Sequence, residues 1–155
     1  MVEPVREMVV ESVRVHMLSS QHVVILREAD AERYLPIWIG SWEAQSIAMR
    51  LQGVEAERPL THDLMHNVLK GLGVSVERIV INDVSDSTFF ARLILKMENE
   101  LGSKILEVDA RPSDSLVMAL QAEKTIFVAS HVFESAEDMS EILERVLRQQ
   151  NEEQD

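Results

Sequence analysis

Val76-Glu77-Arg78-Ile79-Val80-Ile81-Asn82-Asp83-Val84 is the first of three successive strand-like runs with no helix between them, and that run of strands decides the fold. Phe89, Ala91, Leu93, Leu95 and Met97 alternate along the second run, the period-two pattern of a sheet with one face in a core. The connection Asp83-Val84-Ser85-Asp86-Ser87-Thr88 is rich in turn-forming Asp and Ser. Asn99-Glu100-Leu101-Gly102 then turns the chain into a third strand, Lys104 to Val108. Parallel neighbours need a long crossover, so strands joined by such short turns form an antiparallel meander.

Working outward, a helix is expected upstream from Thr61 to about Leu72, with Leu64, Val68 and Leu72 on one face and Gly71 and Gly73 at its end. Before it, Ala44, Ile47, Ala48 and Leu51 recur at helical spacing, with Ser41 as the expected cap and Gly53 as the stop. The first third reads as strands. Val13, Val15 and Met17 alternate with polar residues, and Val23 to Leu26 pairs back after the turn Ser19 to His22. Tyr34 to Ile39 forms a third strand in which Pro36 implies an edge or a bulge.

Downstream, a helix from Ser113 to about Glu123 leads to the short strand Ile126 to Val128. A last helix, from about Glu137 to Arg148, carries the stripe Met139, Ile142, Leu143, Val146 and Leu147. Strands in runs with helices between the runs indicate α+β: a mixed, largely antiparallel sheet or sheets with about four helices in a single domain. Residues 1–132 form that domain, residues 133–148 a C-terminal helix packed on it, and residues 149–155 a polar, disordered tail.

The 155 residues carry a net charge of -12, which counts against a tight nonspecific nucleic-acid binder because such binding rests on a positive surface. It leaves open an enzyme with a local cationic groove or with metal ions held by acidic groups. The chain has no cysteine, hence no disulfide framework, thiolate metal site or cysteine nucleophile. Met1 to Met8 does not read as a secretory leader, and the aliphatic runs are too short to span a bilayer, so the expectation is a cytoplasmic protein without membrane partners. Gly-rich phosphate loops of the GxGxxG and GxxxxGKS/T types are absent, as are HExxH and GxSxG, and no organic cofactor is expected. His62 and His66 have zinc-ligand spacing, but the residues between them, Asp63-Leu64-Met65, are not a zinc-protease pattern.

Two Arg-Pro pairs lead straight into helix starts: Arg58-Pro59-Leu60-Thr61-His62-Asp63 and Asp109-Ala110-Arg111-Pro112-Ser113-Asp114. Helix N-termini favour anions, so a guanidinium, a hydroxyl and carboxylates placed there suit phosphate handling. They equally suit capping. Thr61 can accept from an N–H further on, and Asp63 complements the helix dipole. Histidine has no such duty at a helix start, and its titration near neutrality makes His62 a natural general base. Asp109 and Asp114 offer the oxygen ligands that Mg²⁺ or Mn²⁺ prefers, and Arg111 could clamp a phosphate bidentately; an internal Arg-Asp network at the strand-to-helix corner is the alternative. Glu43 reads as a first-turn dipole partner. Trp38 and Trp42 read as core or subunit packing before base stacking.

The strings Leu35-Pro36-Ile37-Trp38-Ile39-Gly40 with Glu43-Ala44, then Arg58 to Asp63, Thr88-Phe89-Phe90-Ala91, and Asp109 to Asp114 resemble the bifunctional nuclease domain family, in order and at similar spacing from about Val10 to Val132. Phe90 and Ser115-Leu116-Val117-Met118 depart from the family's common residues and leave the polar clusters intact. The resemblance implies an α+β domain, a homo-oligomer with a dimer favoured, and a nuclease acting on RNA and DNA.

Two functions follow. In the first, Asp109 and Asp114 hold a divalent metal, Mg²⁺ or Mn²⁺. His62 activates water, Asp63 joins the catalytic set, and Arg58 and Arg111 stabilise the transition state on RNA or single-stranded DNA. In the second, the chain is a non-catalytic ligand-binding or homo-oligomeric interaction module, whose subunit contacts lie at the Trp38/Trp42 region and the C-terminal helix.

Overall fold

A computed structural model describes residues 4–16, 20–135 and 148. Its elements run β1 (Val5–His16), β2 (Gln21–Glu28), β3 (Tyr34–Ile39), α1 (Ser41–Gln52), α2 (Thr61–Gly71), β4 (Val74–Ser85), β5 (Thr88–Asn99), β6 (Gly102–Ala110), α3 (Pro112–Ala122), β7 (Thr125–Ala129) and α4 (Ser130–Ser135). All the strands join one sheet in the order β3-β2-β1-β7-β4-β5-β6. Neighbours are antiparallel except β4 and β7. The architecture is α+β, as the sequence pattern implies.

The sheet is two meanders stitched together. β1-β2-β3 and β4-β5-β6 each fold by local turns. The turn between β4 and β5 places Asp86 and Ser87 at φ 50° and 65°, and two left-handed residues in a two-residue loop match the twist of the strands. β7 then inserts between the meanders, antiparallel to β1 through Val5↔Ala129 and parallel to β4 through Ile79↔Ile126. The parallel pairing demands a crossover, and the link from β6 through α3 supplies it. α3 is thereby laid against β4, β5 and β7, with α1 beside it. Leu26, Leu35, Ile47, Ile79, Ile81, Leu116, Met118 and Val128 make one core from both halves, each at most 1% exposed. Pro36 lies in β3, an edge strand, where a missing ladder donor is tolerated.

Several local expectations change. Gly40 is the N-cap of α1, and Ser41 is its first helical residue without a capping role. Gly53 does end α1 in the left-handed conformation, with its N–H on the Arg50 carbonyl. α2 is capped at Leu60, so Thr61 is also inside its helix. Asp63 reaches back to accept the Leu60 N–H at 2.9 Å.

The apolar face of α2 looks outward. Leu64, Val68 and Leu72 face solvent, and no residue of α2 is fully buried. The half-buried side is His62, Asp63, His66 and Leu69, so the helix turns a mostly polar stripe inward. Neither tryptophan is in the core, since Trp38 and Trp42 are both exposed. A helix not foreseen in the sequence, α4, follows β7 directly and buries Val132 and Phe133. Met17, the expected helix from Glu137 and the tail lie outside the described residues, apart from Arg148. No described helix is long and apolar enough to cross a membrane.

Candidate active site

The two Arg-Pro clusters meet through one carboxylate. Arg111 is the N-cap of α3 and Pro112 its first residue, where a missing N–H costs nothing and the fixed φ suits the helix. Asp114 falls in the first turn, favoured by the helix dipole. Its Oδ1 lies 2.9 Å from His62 Nε2 on α2, and its Oδ2 accepts from Arg111 Nε at 2.9 Å. Arg111 Nη2 also donates to Glu43 Oε1 on α1 at 2.9 Å. Three helices are therefore joined in the chain His62, Asp114, Arg111, Glu43.

The protonation pattern follows from the donors. An ionised carboxylate only accepts, so His62 donates from Nε2, and Nδ1 is the ring nitrogen left to receive a proton. Burial raises the Asp114 pKa, but the hydrogen bonds from Arg111 and then His62, with their charges, outweigh it and hold the carboxyl below its ordinary value. Arg111 is pushed up in turn, first by its bond to Asp114 and then by Glu43.

Asp63 centres a second network on the same three helices. Its carboxylate takes the Leu60 N–H, the Arg50 guanidinium of α1, and Gln121 Nε2 of α3 at 2.9 Å. The Leu60 N–H is the main cause of its lowered pKa. Burial opposes that shift, and the charge of Arg50 adds to it.

Two cavities share a wall at His62. The larger, about 730 Å³, is walled by Trp42, Met65, Leu93, Val108, Arg111 and Ser115, among others. The smaller, about 450 Å³, is more polar and runs past Arg50, Asp63, His66, Asn67 and Gln121. Ser46, Met49, Leu60 and His62 face both. Ser115 is fully buried, and its hydroxyl has no partner in the structure.

His62, Arg111 and Asp114 are thus brought together, while Asp63 is held beside them in its own network. Arg58 is exposed and lines neither cavity, so the first cluster supplies Pro59 and Leu60 to the walls and not its guanidinium. Asp109 is exposed. Its carboxylate is paired with Arg92 at 2.8 Å, directly across β5 and β6. Asp109 belongs to the wall of the larger cavity, although strand alternation puts its side chain on the opposite face of β6 from Val108 and Ala110.

Among the described residues, no group of three His, Asp or Glu side chains is placed to hold a metal ion. Both oxygens of Asp114 are already engaged, and Asp109 points elsewhere, so this donor set does not fit Mg²⁺ or Mn²⁺. His66 likewise gains no third ligand beside His62.

Sequence reasoning passed over Glu43, Arg50 and Gln121 as partners in these networks. Glu43 looked like a dipole residue, and its contact with Arg111 crosses 68 positions, which no local pattern reveals.

The sequence model of the bifunctional nuclease domain family matches residues 24–141. Two uncharacterized proteins of Mycobacterium tuberculosis, from strains CDC 1551 / Oshkosh and ATCC 25618 / H37Rv, are each 43% identical over 130 residues, covering 84% of this chain and 75% of their own length. The matched span takes in Glu43, His62, Arg111 and Asp114, so the clustered residues lie inside the conventional bounds of one domain, and the chain belongs to the bifunctional nuclease domain family.

Proposed function

We propose that the chain hydrolyses phosphodiester bonds of RNA and single-stranded DNA, with His62 as general base and Arg111 as the phosphate-binding cation. The observation that carries this reading is the 2.9 Å contact of His62 Nε2 with Asp114 Oδ1 at the wall shared by the two cavities. Water attacks phosphorus, its proton passes to His62 Nδ1, and the leaving oxygen takes a proton from solvent. Asp114 fixes the tautomer and steadies the imidazolium that forms. Arg111 engages its carboxylates through Nε and Nη2, so Nη1 remains for a phosphoryl oxygen.

Single strands suit the larger cavity better than duplex does. Trp42, 79% exposed beside Met65 and Val108, offers an unpaired base an apolar stacking wall. A paired base would first have to leave its stack. The overall charge of -12 does not oppose this, because the cation that matters is local.

The test is cleavage of labelled single-stranded RNA and DNA by wild type and His62→Ala, each with Mg²⁺, with Mn²⁺ and with EDTA. Wild type is expected to cleave in all three, because no step here runs through a metal. His62→Ala should be slower by about 10²–10⁴-fold. Equal rates would remove the base assignment. Activity lost in EDTA would show a metal that these donors do not explain.

A second reading has its own support. The chain of contacts from His62 to Glu43 ties three helices, as a folding clasp in a non-catalytic binding module would. Wild type inactive under every condition, together with a lowered melting temperature in Asp114→Ala, selects that reading.

A further inference from the structure

We propose that the N-terminus of α3 is a phosphate-binding subsite, opening on a third cavity that Arg111 also lines, and that it takes the phosphate next to the scissile one in a single strand. The cavity, about 390 Å³, is bordered by Trp38, Phe89, Arg111 and Ser113 among others. Ordinary ligand sites span about 300–1,000 Å³. The strand assignment rests on the phosphodiesterase reading above, whereas the phosphate site stands on its donors and charge alone.

α2 and α3 treat their free N–H groups differently. The first turn of any helix leaves donors that its own carbonyls cannot reach. In α2, Asp63 turns back to accept the Leu60 N–H. The aspartate at the equivalent position of α3, Asp114, is drawn off to His62 and Arg111, and no side chain caps the helix. Pro112 has no N–H and Ser115 donates to the Arg111 carbonyl, so the N–H groups of Ser113 and Asp114 are left without an acceptor among the described residues. Ser113 adds a hydroxyl. It is only 6% exposed, the little surface it keeps borders the third cavity, and its side chain makes no hydrogen bond among the described residues. Unmet donors in so buried a place call for an acceptor, and helix N-termini meet phosphate oxygens in this way.

Charge selects the same place. In a chain of net charge -12, the walls of the other two cavities carry Glu55, Glu57 and Asp63, or Glu43, Asp109 and Asp114. Among the described residues no carboxylate lines the third, and Arg111 is its cation. An anion is therefore repelled least there. The aromatic walls point to a nucleic acid as the source of the phosphate. Trp38, 43% exposed, and Phe89 border the same cavity, and the bases of a single strand stack on such surfaces whatever their sequence. Arg111 borders this cavity and the larger one alike, so a strand whose scissile phosphate meets Arg111 in the larger cavity continues past it to Ser113.

The experiment is an amide NMR titration of the full chain, wild type and Ser113→Ala, with inorganic phosphate and with a single-stranded DNA hexanucleotide whose phosphorothioate linkages resist cleavage. Sodium chloride at matched ionic strength is the control. In wild type both probes should shift the Ser113 and Asp114 amides to saturation, and chloride should not. Ser113→Ala, read at the Asp114 amide, should bind both probes more weakly by about tenfold or more, since a hydrogen bond to a charged group is lost. Ser113→Gly repeats the test if Ser113→Ala fails to fold. Amides unmoved by either probe, or affinities unchanged in the variant, would overturn the subsite. Shifts with inorganic phosphate alone would overturn the strand assignment. A chain that cleaves RNA without these shifts loses the subsite and keeps the phosphodiesterase reading; one that shows them and cleaves nothing loses that reading and keeps the phosphate site.

Discussion

α2 and α3 begin alike and end up opposite. Each starts at or just after an Arg-Pro pair, each has an aspartate in its first turn, and each is eleven residues long. Yet α3 buries Pro112, Ser113, Ser115, Leu116, Val117, Met118 and Ala119, while α2 fully buries nothing. The difference is topological. α3 is the crossover that must lie on the sheet so that β7 can run parallel to β4, whereas α2 joins α1 to a strand it need not cover. A local motif sets where a helix starts. What the helix does afterwards depends on which strands its chain has to connect.

The sharpest way to break this contrast is to truncate the corresponding apolar residues. Leu116→Ala, at a fully buried site packed against β4 and β5, should destabilise by about 2–5 kcal/mol, because both the transfer energy and a residual cavity are lost. Leu72→Ala should stay within about 0.5 kcal/mol of wild type. Urea midpoints for both variants check this. A large loss in Leu72→Ala would mean that α2 packs against something in the monomer.

The two aspartates sharpen the comparison at acid pH. Both hold their protons less firmly in the folded chain than at the ordinary value of 3.8. The unfolded chain therefore binds more protons as pH falls below that value. The contribution of each is whole above pH 3.8 and is lost as pH drops through the lower, folded pKa. Asp63→Asn and Asp114→Asn should each flatten the acid limb of stability, read as urea midpoints from pH 5 to pH 2. The helices differ in the main cause. For Asp63 it is the backbone N–H of Leu60, while Asp114 depends on Arg111 to overcome its burial. Arg111→Ala should thus shrink the Asp114 contribution, and Arg58→Ala should leave that of Asp63 unchanged.

These contrasts also mark how far the sequence could be read. The meander from Val74 to Ala110 was legible because alternation and turn residues are local, and the turn at Asp86-Ser87 sits where the composition placed it. The insertion of β7 between β1 and β4 was not, since its partners lie far away in the chain. α2 was legible as an element with Leu64, Val68 and Leu72 on one face, but not which way that face turns, since Asp63 and His62 meet Arg50, Gln121 and Asp114 from distant parts of the chain. Asp109 borders the same cavity as Val108 and Ala110, but its carboxylate meets Arg92 across the strand pair, a partner that no local pattern marks. Glu43 had no local signal strong enough to prefer Arg111 over the dipole of its own helix.

Small stability effects are also expected at the two arginines, and there the comparison is cleanest. Arg58 is exposed, with neither cavity beside it, so Arg58→Ala should change stability by no more than about 0.5 kcal/mol. Arg111 is 66% exposed despite its two carboxylate partners, and such ion pairs are screened, so Arg111→Ala should cost no more than about 1 kcal/mol. If Arg111 binds phosphate, its removal lowers cleavage far more than that small loss of folding stability can account for, and Arg58→Ala leaves cleavage near wild type. Thermal melts alongside rates on single-stranded RNA separate the cases. Equal effects of the two substitutions on cleavage would mean that the groove does not discriminate between a guanidinium at its wall and one outside it, and the phosphate role of Arg111 would fall.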